Sequence, residues 1–148
     1  MGVDPDKLLK KEEWLTLLSN DQKKDIENRS FFYIVWLLEK IPVGHSNINK
    51  IKFGEEAYMH LHLWRDDKRK KGIGFEFMKL CLPYFLSTFK LKRLYCEPYA
   101  LNPAPNKMLK KLGFDFIKQY ETIPGWINFR QPVNRWCMDV SLNPLFVD

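Results

Sequence analysis

The sequence predicts an α/β domain in which helices cover both faces of a central mixed sheet. Three observations predict it. Helix-like and strand-like segments follow one another as two helices, three strands, a helix, a strand, a helix and two strands. Hydrophobic residues make up 45% of the chain and aromatic residues 15%, enough for a real core and too much for intrinsic disorder. The 148 residues suit one domain, residues 1–148, and no repeat or low-complexity stretch divides them.

Each element has its own signal. Asp4 can cap a helix and Pro5 suits its first position. Leu8, Leu9, Trp14, Leu15, Leu17 and Leu18 then form an apolar stripe, so residues 4–27 read as helical, broken in two at Ser19-Asn20-Asp21. Residues 31–39 are aromatic and branched, as in a buried strand. Pro42-Val43-Gly44 predicts a turn, and residues 43–52 then return antiparallel, although Asn47 and Asn49 are poor strand formers. In the strand Ala57–Trp64, the apolar Ala57, Met59, Leu61 and Leu63 alternate with Tyr58, His60, His62 and Trp64. A helix follows over 73–87, and Pro83 should kink or shorten it. Leu91–Cys96 is a strand. Pro105–Leu112 is a short helix stopped by Gly113, and Phe114–Thr122 is a strand. A loop over 124–132 leads to a last strand at 135–142.

Composition excludes several functions. No apolar run reaches the length of a membrane span, and Met1–Asp4 has no signal-peptide core, so no membrane partner is expected. Cys81, Cys96 and Cys137 are odd in number and widely spaced, which speaks against a disulfide framework and for a reducing, cytoplasmic setting. The three histidines and three cysteines show no metal-ligand spacing, and no metal is expected. The net charge of +6 asks for an anionic partner. Its densest run, Lys68-Arg69-Lys70-Lys71, abuts two glycines, which favours a compact phosphate site over a nucleic-acid face.

That segment, Arg69-Lys70-Lys71-Gly72-Ile73-Gly74-Phe75, lies between a strand and a helix. Glycines let the backbone curl and aim several N–H groups at one point, and the new helix adds the positive end of its dipole. Four basic residues are disfavoured at a helix start unless an anion offsets them. A plain strand-to-helix turn with a basic start is the other reading. Some thirty residues on comes a second element, Asn102-Pro103-Ala104-Pro105-Asn106-Lys107-Met108-Leu109-Lys110-Lys111-Leu112-Gly113-Phe114.

Together the two segments resemble the GNAT superfamily of N-acetyltransferases, most closely the branch with the ribosomal-protein alanine acetyltransferases. Arg69-x-x-Gly72-x-Gly74 resembles the family's pyrophosphate motif, and Asn102 through Lys111-x-Gly113-Phe114 its second motif. The resemblance covers roughly residues 43–140. It implies a mostly antiparallel sheet and acetyl-CoA as cofactor. It further implies that residues 69–75 hold the pyrophosphate, that backbone near Leu63 and Trp64 meets the pantetheine arm, and that Asn102, with Asn106 and Lys111 of the same motif, meets the cofactor. The strands Tyr58–Trp64 and Leu91–Cys96 would splay apart to admit the thioester. Three departures stand out. Pro105 replaces a frequent Ser, Leu109 replaces the Tyr that serves many members as general acid, and the family's first strand has no counterpart.

The implied reaction moves an acetyl group directly to a primary amine, on a protein N-terminus or a small molecule. The alternative is a binding module that keeps acyl-CoA without turnover. A base must take the amine proton. His62 is the first candidate, Glu97 the second and His60 the third. The histidines also fit hydrogen-bonded structural roles, and Glu97 an ordinary strand-end carboxylate. Trp126, Phe129 and Trp136 would line an acceptor pocket, form a homodimer surface or cover the sheet.

Overall fold

The computed structural model of the protein describes residues 2–64 and 72–142. Its strands are β1 Phe31–Leu38, β2 Ile41–Lys52, β3 Glu56–Leu63, β4 Arg93–Cys96, β5 Asp115–Thr122 and β6 Gln131–Asp139. Its α-helices are α1 Lys11–Gln22, α2 Ile73–Thr88 and α3 Pro103–Lys111. The strands form one six-stranded sheet in the order β1-β2-β3-β4-β6-β5. Every neighbouring pair is antiparallel except β3 and β4, which run parallel because α2 carries the chain back between them. Ahead of β1 the described residues hold no strand beyond an isolated bridge from Val3 to Asn128.

Strand alternation divides the work of the sheet. One face packs Phe32 and Trp36 of β1, Ile48 of β2, Met59 of β3, Leu94 of β4 and Met138 of β6 against α2 and α3. Phe85 and Leu109, both fully buried, are the helices' main contributions, each worth about 1.5–3 kcal/mol. Trp36 stacks on Phe77 of α2 at 5.1 Å and donates from Nε1 to Ser46 Oγ at 3.3 Å. The opposite face carries the other residues of each alternation, among them Tyr33, His45, Tyr58, His60, His62, Tyr95, Glu97 and Arg135. Leu18 and Gln22 of α1 lie beside Phe31 and Tyr33 of this second face.

Several local expectations are corrected. Ser19-Asn20-Asp21 does not break α1. The helix runs through them, and Asp21 accepts from Ser30 N at 3.0 Å and Lys24 Nζ at 2.8 Å, tying the helix to the start of β1. The leucine stripe is not a buried face, since Leu8, Leu15 and Leu17 stay exposed. β1 is an edge strand whose only fully buried residue is Trp36. Pro83 does not shorten α2. It sits on the solvent side, where water can satisfy the carbonyl it leaves unpaired, while Phe85 and Phe89 anchor the following turn. α3 begins two residues early because Asn102 caps it, accepting from Ala104 N at 3.3 Å. It ends in a Schellman motif: Gly113, at φ 87°, donates to Lys110 O and Phe114 N to Leu109 O. β6 begins at Gln131, and β5 is the other edge strand, mostly exposed on both faces.

Pro42-Val43-Gly44 is not the turn. The β1–β2 hairpin turns at Glu39 and Lys40, both at positive φ, 50° and 66°, the left-handed pair that matches strand twist. Gly44 is instead a close-approach glycine inside β2. A Cβ there would stand 2.6 Å from His62 O and 2.9 Å from Trp36 Cε3. Gly44→Ala should therefore lower stability by about 1–3 kcal/mol, read as a lower urea midpoint with an unchanged slope.

Candidate active site

Four residue pairs join β3 to β4: Glu56 with Arg93, Ala57 with Leu94, Tyr58 with Tyr95 and Met59 with Cys96. There the ladder stops, yet neither chain does. β3 stays with β2 as far as the Gly44–Leu63 pair, and Trp64 N donates to Val43 O at 2.9 Å. The chain after β4 stays with β6, since Asn134 N donates to Pro98 O at 3.0 Å and Ala100 N to Pro132 O at 3.0 Å. The two strands part because each follows its other neighbour. Bonding alternates along a strand, so with Trp64 turned to β2, Leu61 and Leu63 turn their main-chain groups to the opening. Trp64, one of the two residues expected to offer backbone to a cofactor arm, thus spends its own N–H on β2.

His60 and Glu97 are the first residues past the last pair, one on each prong of the fork. They share a sheet face with Tyr58 and Tyr95, whose rings lie 5.2 Å apart. Glu97 is 4% exposed. Its Oε1 accepts from Arg135 Nε at 2.6 Å and from the Tyr120 hydroxyl, and Arg135 Nη2 donates to Tyr120 Oη at 2.5 Å. The guanidinium lies over three rings, 5.1 Å from Tyr120 and 5.6 Å from both Tyr58 and Tyr95. Burial and the bond to Glu97 push the Tyr120 phenol up to about 12. Tyr120 and Arg135 escaped the sequence reading. Their signal was a lone cation at an inward position of a strand flanked by Val133 and Cys137, hidden because that strand was expected to begin at residue 135.

The two histidines of β3 share a face but not a setting. His60 is largely enclosed, its Nε2 is buried with no hydrogen-bond partner, and burial pushes its pKa down to about 4, with Lys50 adding to the effect and Glu97 opposing it. It is a neutral imidazole at ordinary pH. His62 lies two residues farther out, exposed, its ring 6.1 Å from that of His45. His45 sits in β2, accepting from Trp64 Nε1 at 3.1 Å. Cys96 is no nucleophile: it faces the core, and burial pushes its thiol up to about 12. Among the described residues, no cluster of three or more His, Cys, Asp or Glu could hold a metal.

Arg69, Lys70 and Lys71 lie outside the described residues. Gly72 precedes α2 at φ 77°, a conformation that disfavours other residues. Glu76 N makes the first intrahelical bond, to Gly72 O at 3.1 Å, so the N–H groups of Ile73, Gly74 and Phe75 find no partner within the helix. A Cβ on Gly72 would meet nothing within 4 Å, and one on Gly74 only Met108 Sδ at 3.8 Å. Among the described residues nothing fills the space before this glycine-lined helix end, which fits a phosphate group. Ile73 and Phe75 are half-buried, and Phe75 packs on the core. The second motif is more structural than expected. Asn106 spends its whole amide on the protein, donating to Tyr99 O and Asn102 O and accepting from Asn134 Nδ2 and Trp136 Nε1. Lys111 is exposed in the last turn of α3, where a cation suits the helix dipole. Leu109 is fully buried and offers no proton.

The loop between β5 and β6 is tied down from the N-terminus. Gly2 O accepts from Asn128 Nδ2 at 2.9 Å and Gln131 Nε2 at 3.3 Å, and Trp14 meets Trp126 at 5.7 Å. Trp126 and Phe129 remain half exposed, while Trp136 is buried.

A family model described as an acetyltransferase (GNAT) domain matches residues 4–115. No curated protein matches the chain significantly by sequence. Mycobacterium smegmatis RimJ in complex with CoA-disulfide superposes with a TM-score of 0.75 at 13% identity, over 90% of this chain and 64% of that one. The ribosomal-protein-S5-alanine acetyltransferase of Vibrio fischeri gives 0.69 at 18% identity, over 87% and 69%. Campylobacter jejuni N-acetyltransferase PseH, in complex with acetyl coenzyme A, gives 0.65 at 15% identity, over 86% and 78%. At such identities the likeness is one of fold.

The neutral, enclosed His60 has a consequence for folding. Its folded pKa of about 4 lies below the ordinary 6.5, so the unfolded chain binds more protons between those values. Its contribution is complete above pH ~6.5 and is lost as pH falls toward 4. A His60→Gln variant should lose less stability than the parent between pH 7 and pH 4.5, with a difference of about 2 kcal/mol, measured by urea unfolding at both values.

Proposed function

The chain belongs to the GNAT acetyltransferase domain family, and on that premise we propose that it transfers an acetyl group from acetyl-CoA directly to a primary amine. Acetyl-CoA would supply the acetyl group as an activated thioester. The glycine-lined start of α2 would hold its phosphates through the N–H groups of Ile73, Gly74 and Phe75, with Arg69, Lys70 and Lys71 contributing charge. Leu61 would offer main-chain groups in the fork.

One observation carries the chemical part of this reading: the β3–β4 ladder ends with His60 and Glu97 flanking the opening. The amine would approach on the face that bears them, opposite the core. As its nitrogen attacks a carbonyl it gains positive charge and becomes acidic, so a carboxylate beside it suffices to take the proton. Glu97 is therefore the base in this reading. His60, neutral and with Nε2 unpartnered, would accept a hydrogen bond from the same amine. His62, two residues out and exposed, moves from first candidate to third. The acceptor class stays broad. Solved structures of similar fold include a ribosomal L7/L12 alpha-N-protein acetyltransferase and an aminoglycoside acetyltransferase in complex with kanamycin, and an amine on a protein N-terminus or a small molecule is proposed here.

The test is release of free CoA thiol from acetyl-CoA across a panel of free-N-terminus peptides, small amines and aminoglycosides. Amine-dependent release is expected. CoA binding without release for any amine would make the domain a binding module instead. Glu97→Gln should lower kcat by ~10²–10⁴-fold with CoA affinity intact, and wild-type kcat in that variant would remove Glu97 as base. Separately, Gly74→Val should weaken CoA binding by about 2 kcal/mol, ~30-fold, because a branched side chain would stand beside the N–H groups proposed to hold the phosphates. Titration calorimetry on the folded variant decides it.

A further inference from the structure

The Glu97–Arg135–Tyr120 cluster is not explained by stability. A buried ion pair loses much of its attraction to desolvation, and apolar replacements are often neutral or stabilising. Nor is the pair at a random place. It sits one residue past the end of the β3–β4 ladder, where the sheet opens. Its geometry is also lopsided. Both donors converge on Oε1 of Glu97, and among the described residues Oε2 receives no hydrogen bond.

Resting on the acyltransfer reading above, we propose that Arg135 and Tyr120 are positioning residues, which lock one oxygen of Glu97 so that the other is presented to the acceptor amine. Four strands hold the lock. Arg135 comes from β6, Tyr120 from edge strand β5, and the Tyr58 and Tyr95 rings from the paired part of the fork. The guanidinium is planar and makes both of its bonds at once, Nε to Glu97 and Nη2 to Tyr120. The three rings beneath it keep it from swinging out. A carboxylate held this way cannot rotate to offer Oε1, so a single acceptor of fixed direction faces the substrate. Such fixing matters because misplacement of a reacting group by a fraction of an ångström to an ångström costs rate.

The experiment uses the full chain and the amine that supports release in the panel. Tyr120→Phe keeps the ring and removes the hydroxyl. It should lower kcat by about tenfold, with KM for acetyl-CoA unchanged in a protein that remains folded. In a Glu97→Gln background the same change should have no further effect, because both act through one group. Arg135→Lys keeps the charge but not the planar fork, and should lose kcat as Arg135→Gln does. Wild-type kcat in Tyr120→Phe, full activity in Arg135→Lys, or additive losses in the double variant would each overturn the positioning role while leaving the acyltransferase reading intact. If Arg135 variants do not fold, Tyr120→Phe and its double variant decide alone. A wild-type chain that releases no CoA with any amine fails the earlier reading and takes this one with it.

Discussion

A backbone inside a sheet must find partners for its N–H and C=O groups, and a strand can leave one neighbour only if another holds it. β3 and β4 meet this constraint by parting toward opposite sides, one kept by β2 and the other, in its extension through Pro98 and Ala100, kept by β6. The opening between them therefore needs no strained backbone. It also has a definite address, since the last shared pair is Met59 with Cys96. The placement of His60, Glu97, Leu61 and Leu63 follows from that address together with strand alternation.

Alternation also separates the sheet's two duties. The face toward α2 and α3 is closely packed and apolar, and the glycine-lined helix start belongs to the α2 that packs there. The other face bears the imidazoles, the carboxylate and the tyrosines. Gly44 shows how tightly the two are joined: its missing side chain lets Trp36 pack on the core side next to the His62 carbonyl. The polar face tolerates a charge pair because Arg135 donates to Glu97 and to Tyr120 and lies over aromatic faces.

Much of this was legible in the residues. The alternation Ala57-Tyr58-Met59-His60 correctly told one face from the other, and Gly113 correctly marked the end of α3. The order of elements from β1 onward also followed from pattern. What failed was local chemistry overridden by tertiary context. Pro42 and Gly44 look like a turn, but Glu39 and Lys40 turn first because the strands they join are already paired. Pro83 looks like a stop, but it faces water and the helix is held beyond it by Phe85 and Phe89. In the site, the alternation of β3 grouped His60 with His62, while only the sheet register separates them, since it depends on where another strand stops. The contacts of Tyr120 and Arg135 with Glu97 span 23 and 38 residues of chain, and no single-segment pattern contains that information.

β5 is an edge strand exposed along most of both faces, and it pairs only with β6. Cooperative units with few buried contacts are the first to open in native-state fluctuations. Fraying of this edge would carry Tyr120 away from Glu97 while leaving the core on α2 and α3 undisturbed. Conformational freedom at the rim of the sheet would then pass to the carboxylate at its centre, so that amide exchange along β5 reports on how long the site stays assembled.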